Sequence, residues 1–222
     1  IDSRRFVKKK ETSDDRVSSV SDFVPHNALY RAFDWVRNKV KNKWQHYQWG
    51  KYPKRGPYFM SDLRSTDIGG ALRKIDYDIL HLHWVNLRFL PLDQLPKDKP
   101  IVWTLHDSWP FCGICHLPMD CQGYEKSCGC CPSLWSNDRK DLSHQVWKKK
   151  RGYYQGLDLH VVAPSRWMAE SARKSSLLGT CDIRVIPNCL DTEGFCPGSR
   201  EEACARLGLD PDKRHILLGA VD

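Results

Sequence analysis

The chain alternates short apolar runs with stretches in which apolar residues recur every three or four positions. Strand-like runs are Asp78–Trp84, the run opening at Ile101, Leu159–Ala163, Ile183–Ile186 and His215–Ala220. Apolar runs of this length, rich in β-branched residues, suit strands buried in a parallel sheet. Helical patterns lie between them. Leu29, Phe33, Val36 and Val40 share one helix face, with Asn27 placed to cap it. Thr66 opens a second helix carrying Ile68, Leu72 and Ile75 on one side. Leu142, Val146 and Trp147 mark a basic helix that reaches Tyr154 and stops at Gly156. Ser165 caps a helix with Trp167, Met168 and Ala172, and Ser199-Arg200-Glu201-Glu202 is a capping box before a helix that Gly208 ends. Arg5–Lys9 reads as an edge strand, Glu11–Ser21 as polar loop, and Leu92–Leu95 as a connection. Lys43–Met60, without periodicity, reads as a long surface loop. Strand, connection, strand in this rhythm predicts an α/β fold, a Rossmann-like parallel sheet with flanking helices.

Composition narrows the setting. A chain of 222 residues, 41% hydrophobic and with nine tryptophans, holds one sizeable core and the start of a second domain. Pro187–Gly198 is the expected linker. No apolar run reaches membrane-helix length and residues 1–20 lack a signal peptide's apolar middle, so the cytosol is the expected compartment. The net charge of +8 favours an anionic partner. Its clusters, Arg4–Lys10, Arg37–Lys43 and Lys148–Arg151, carry no helix-turn-helix or aromatic-plus-basic motif, and nucleic acid is not expected. Lys148–Arg151 instead suits peripheral docking at the inner face of an anionic membrane. The chain begins at Ile1 and ends just after an apolar run, and is expected to be cut at both ends.

Two segments carry candidate chemistry. The run from Ile101 delivers His106-Asp107 at its C-terminal end and breaks at Pro110, while the run from Tyr77 ends in His83-Trp84. Ligands of open α/β sheets bind outside the carboxyl ends of strands, so these residues, with Trp109, form a candidate site. The alternative is a set of inert, hydrogen-bonded strand-end histidines. The second segment holds Cys112, Cys115, His116, Cys121, Cys128, Cys130 and Cys131. Two sets of four thiols suit tetrahedral zinc: Cys115, Cys121, Cys128 and Cys131, or Cys112, Cys115, Cys128 and Cys131. A structural zinc ion is expected, against a reduced thiol cluster or, less in keeping with the compartment, disulfides. No open set of His and carboxylate marks a catalytic zinc, and no CxxC opens a helix as redox chemistry requires. Cys181, Cys189, Cys196 and Cys204 read as packed or loop thiols.

Taken together, Asp78-Ile79-Leu80-His81-Leu82-His83-Trp84, Pro100 to Asp107, Trp109-Pro110-Phe111 and Cys128-Gly129-x-Cys131-Pro132 resemble glycosyltransferase family 4. Ala163-Pro164-Ser165-Arg166-Trp167 and Val185-Ile186-Pro187-Asn188 with Asp191-Thr192, Phe195 and Pro197 are similar to the same family's later strands and hinge. The resemblance runs from about Asp78 onward, towards enzymes of bacterial polysaccharide assembly. It implies the N-terminal, acceptor-side half of a GT-B fold: residues 1–186 with a cysteine-rich insertion at 112–132, a linker at 187–198 and the start of a donor-binding domain at 199–222. The implied activity is retaining hexosyl transfer from a nucleotide sugar to a polysaccharide or lipid-linked oligosaccharide acceptor. His106 is then the histidine that meets the donor sugar, and Asp107 orients it or lines the acceptor side. His83, Trp84 and Trp109 contact substrate, and Ser165 and Arg166, at a helix start, hold an anionic group. The family's donor-domain signatures would lie beyond Asp222 and its first strand and glycine loop before Ile1, a place Gly69-Gly70 does not fill. An incomplete, inactive fragment is therefore expected. Cys189 stands where relatives carry glycine. The rival from another class is a non-catalytic, zinc-stabilised interaction module with a basic face, which the strand-like tail disfavours.

Overall fold

The computed structural model describes residues 2–23, 28–56, 61, 70, 72–73, 75–86 and 89–216. Its centre is a four-stranded parallel sheet of β3 (Leu80–Leu82), β4 (Ile101–Thr104), β5 (Leu159–Ala163) and β6 (Asp182–Val185), in that order. A separate parallel pair joins β1 (Arg5–Val7) to β2 (Val17–Ser19). The helices are α1 (Ala28–Gly50), α2 (Leu142–Tyr154), α3 (Arg166–Lys174) and α4 (Arg200–Leu207). The predicted α/β class, a Rossmann-like parallel sheet with flanking helices, is the one observed.

Register explains the core. Leu82, Trp103, Val161 and Ile183 stand opposite one another across the four strands, and all are buried. Burying Leu82, Val161 or Ile183 contributes roughly 1.5–3 kcal/mol each. Trp103 also meets the ring of Tyr154 edge-on at 5.8 Å. Helix α2 buries Val146, Trp147, Lys150 and Tyr154, spaced by one, three and four residues as one helical face requires. Helix α3 lies against β5 and β6 and buries Met168, Ala169 and Ala172.

The boundaries follow local chemistry. Ser165 Oγ accepts from Met168 N–H at the start of α3, Ser199 Oγ from Glu202 N–H at the start of α4, and Gly208 closes α4 in the left-handed region. Gly156, also left-handed, follows α2 as expected. Helix α2 has a stronger cap than Ser or Thr supplies. The fully buried carboxylate of Asp141 accepts from the N–H groups of Ser143 and His144, from the Ser143 hydroxyl at 2.6 Å, and from Cys131 N–H at 2.8 Å.

Four expectations are corrected. The loop Lys43–Met60 does not begin at Lys43, because α1 runs on to Gly50, ahead of Pro53. The polar segment Glu11–Ser21 contains β2, whose Val17 and Ser19 are buried. The strand predicted from Asp78 is confined to three residues, with Ile79 exposed. His215 and Ile216 are not in a strand. The Asn27 cap, the Thr66 cap with Ile68, and Leu217–Ala220 lie outside the described residues. The chain divides into two compact units, Ile1–Pro187 and Asn188–Asp222. In the second, α4 is followed by a turn in which Arg200 donates to the carbonyls of Pro211 and Lys213.

Replacing Asp141 by Ala removes the α2 cap and leaves Cys131 N–H buried without a partner. The two losses together are expected to lower stability by about 3 kcal/mol. Denaturant unfolding reads this directly, and Asp141→Asn, which keeps an accepting oxygen, should lose less.

Candidate active site at the strand ends

Strands β3 and β4 run parallel with Leu82 opposite Trp103, so His83-Trp84 and His106-Asp107 emerge side by side at their carboxyl ends. Their side chains form two hydrogen-bonded sets. His83 Nδ1 lies 3.0 Å from His106 Nε2, and Trp84 Nε1–H donates to Asp107 Oδ2 at 2.9 Å. The other oxygen of Asp107 accepts from Trp109 N–H at 2.9 Å. Oδ2 also takes His116 Nδ1 at 2.6 Å. One step back along the strands, His81 Nε2 meets Thr104 Oγ1 at 2.8 Å.

His83, Trp84, Thr104, His106, Asp107 and Trp109 line a crevice with Val85, Asn86 and Pro110. The indole of Trp84 is 55% exposed, which leaves a ring face open above a carboxylate-anchored N–H. Trp109 is buried and forms the floor, because the Lys150 ammonium rests 3.5 Å from its ring centre. Asn86, buried at the wall, has an Oδ1 without a partner among the described residues. Buried acceptors of this kind are rare and suit recognition of a hydroxyl.

Expected site residues therefore separate into two groups. His83, Trp84, His106, Asp107 and Trp109 come together in one crevice. Ser165 and Arg166 sit at the carboxyl end of the neighbouring β5 and do not line it; the Ser165 hydroxyl is occupied in capping α3. His116, counted only as a possible ligand type in the cysteine segment, belongs to this site through Asp107. Asn86 carried no sequence signal, and Lys150 was hidden inside a basic run. The docking patch Lys148–Arg151 is corrected by the same observation: Lys150 is fully buried, so its charge does not reach the surface.

The histidine pair has a defined proton economy. One ring must donate to the other, so two imidazolium ions facing each other are disfavoured. Partial burial holds His83 below the ordinary imidazole value, reinforced by His81, His106 and Arg5. Burial likewise lowers His81, with His106 adding to it. Among the described residues His106 Nδ1 has no partner, and the residue is exposed. If His83 donates to His106 Nε2, Nδ1 carries a proton for a ligand; in the opposite tautomer it accepts.

The sequence profile of Glycosyltransferase Family 4 matches residues 17–194. A putative colanic acid biosynthesis glycosyl transferase of Escherichia coli (strain K12) is 30% identical over 127 residues, covering 53% of this chain and 31% of that protein. This chain thus spans about a third of the relative's length. No solved structure matches significantly. The chain belongs to glycosyltransferase family 4, and the parallel sheet is consistent with a GT-B half.

Because folded His81 and His83 bind protons less tightly than in the unfolded chain, stability should fall as pH drops below about 6.5 and level off below their folded pKa values. NMR titration of the imidazoles is expected to place both midpoints below the ordinary value, with His106→Ala moving that of His83 upward. A His83 midpoint at or above the ordinary value would contradict this account.

Proposed function

We propose that this chain supplies the acceptor side of a retaining glycosyltransferase that moves a hexose from a nucleotide sugar to a polysaccharide or lipid-linked oligosaccharide. The reading is supported above all by the His83–His106 pair and, beside it, the Trp84–Asp107–His116 set at the carboxyl rim of β3 and β4. Family membership supplies the reaction class; the retaining course and the acceptor come from the resemblance. In such a transfer the sugar C1–O bond to phosphate breaks while the acceptor oxygen bonds C1 on the same face. The acceptor proton passes to the departing phosphate oxygen.

On this reading His106 hydrogen-bonds a sugar hydroxyl beside the reacting carbon and stabilises developing charge, held in orientation by His83. Asp107 accepts three hydrogen bonds and has little capacity left, so it is a positioning residue. It fixes Trp84 and His116 around the acceptor. The Trp84 ring offers an apolar platform for a sugar face. Ser165 and Arg166, one strand along, suit an anionic group arriving from the donor side. The donor nucleotide belongs to a second domain in the family resemblance. Residues 1–186 serve as the acceptor-side domain, 187–198 as the linker and 199–222 as the start of the donor domain.

Among the described residues no helix is long and apolar enough to cross a membrane. A lipid-linked acceptor would bring the enzyme from the cytoplasm to the inner face of a membrane, with Lys148, Lys149 and Arg151 as exposed cations. Zinc in this function is structural, held by the cysteine segment.

The test is nucleotide release by the complete protein with a panel of nucleotide sugars. His106→Ala should lower kcat about 10²–10³-fold. Trp84→Ala should chiefly raise the acceptor KM, by up to about tenfold. Turnover unaffected by His106→Ala discards the site. No turnover with any donor favours the interaction-module alternative.

A further inference from the structure

Beyond the crevice, five thiols surround a second cavity: Cys112, Cys115, Cys121, Cys128 and Cys131 line it with Tyr124 and the backbone of neighbouring glycines. We propose that Cys115, Cys121, Cys128 and Cys131 form a tetrathiolate zinc site whose negative charge is compensated by the buried ammonium of Lys150. This inference stands apart from the transferase reading, since it concerns metal content and charge rather than turnover.

The backbone is shaped for such a site. Cys128, Gly129 and Cys130 have φ of 50°, 103° and 46°, three successive residues in the left-handed region. Non-glycine residues there cost roughly 1–2 kcal/mol each. The middle position is closed to any side chain, because a Cβ on Gly129 would lie 2.2 Å from the Arg139 carbonyl oxygen. The turn carries Cys128 and Cys131 to one cavity and sends Cys130 away, where its thiol meets the Asn137 carbonyl.

The sulfurs are also provided with amide donors. Gly113 N–H points to Cys128 Sγ at 3.2 Å, and Gly123 N–H to Cys121 Sγ at 3.4 Å. The side chains of Cys131 and Cys115 are in contact, and Cys115 Sγ lies 3.7 Å from Ser133 Oγ. A neutral thiol is a weak acceptor, whereas a thiolate gains from every amide turned towards it. Cys112 has its carbonyl, not its sulfur, engaged in the surrounding hydrogen bonds, and for this reason is left out of the set.

Lys150 supplies the independent observation. Its ammonium is completely buried and donates to the carbonyls of Trp109, Cys112 and Gly113 at 2.5, 3.0 and 3.0 Å. No carboxylate pairs with it among the described residues. The titratable groups that act on it are Cys112, Cys128, Asp107 and Cys115. A buried cation needs an anion close by. Four thiols that bind Zn²⁺ release four protons and leave a complex of net charge −2, and this is the missing anion.

Among the described residues no three such side chains already stand at metal-ligating geometry. Ligation therefore requires the sulfurs to stand closer together than they do here. The benefit reaches the crevice: His116 directly follows Cys115 and its carbonyl accepts from Ser108 N–H at 2.8 Å, so fixing Cys115 fixes His116 against Asp107.

The full chain, expressed with zinc and purified without chelator, should carry about one zinc per chain by inductively coupled plasma mass spectrometry. Cys121→Ser and Cys128→Ser should lose it, while Cys130→Ser and Cys181→Ser keep it. Should the first two fail to fold, cobalt added to the metal-stripped wild type settles the matter: thiolate charge-transfer and tetrahedral ligand-field bands support the site. Absence of both zinc and these bands in the wild type overturns it. Lys150→Met should weaken zinc affinity about tenfold or more; unchanged affinity would remove Lys150 from the proposal.

Discussion

The arrangement of the site depends on one buried cation. Lys150 gathers three carbonyls from the turn that follows β4 and lies on the ring of Trp109, so the turn cannot move without exposing or orphaning an ammonium. Burial pushes its pKa down to about 7 from the ordinary lysine value, against the opposing pull of nearby thiols and Asp107. The helix that carries it is anchored at the other end by Asp141, which also holds Cys131 N–H. Two buried ionic groups on one helix, neither bonded to the other, thus fasten opposite sides of the cysteine segment. Tyr154, one turn beyond Lys150, adds a hydrogen bond to the Pro110 carbonyl.

That fastening decides what Asp107 can do. Its carboxylate joins the end of β3 through Trp84, its own turn through Trp109 N–H, and the cysteine segment through His116. A group so engaged is suited to holding others in place rather than exchanging protons. Beside it, the tautomer of His106 is tied to that of His83. Gly113 shows how tightly the parts are fitted: a Cβ there would lie 2.4 Å from the Ser143 carbonyl oxygen.

Much of this was legible in the sequence where local signals agreed. From Ile101 to Gly208 the apolar periods, the Ser165 and Ser199 caps and the glycine stops all favour the same elements, and the structure has them. The rim residues were legible because they end apolar runs. Failures came where pattern and burial part company. In α1 the apolar Trp35, Val36, Val40 and Tyr47 are exposed while Gln45 is buried, so the continuation past Lys43 had no inward stripe to mark it. Strand β2 offers one apolar residue in a polar stretch. Lys150 lies in a run of four cations that reads as solvated, although its spacing from Val146 and Tyr154 places it on their face. His116 and Asn86 gain their significance only from neighbours distant in sequence.

Strand order has a consequence for how the molecule is made. The sheet runs β3-β4-β5-β6 in the order of synthesis, and among the described residues no later strand inserts between earlier ones. Each strand can add to a finished edge as it leaves the ribosome, which keeps loop closures local and avoids rearrangement. The first pair of this sheet sets His83 beside His106. These strand ends are synthesised ahead of most of the cysteine segment, and the helix with its buried lysine follows later in the chain.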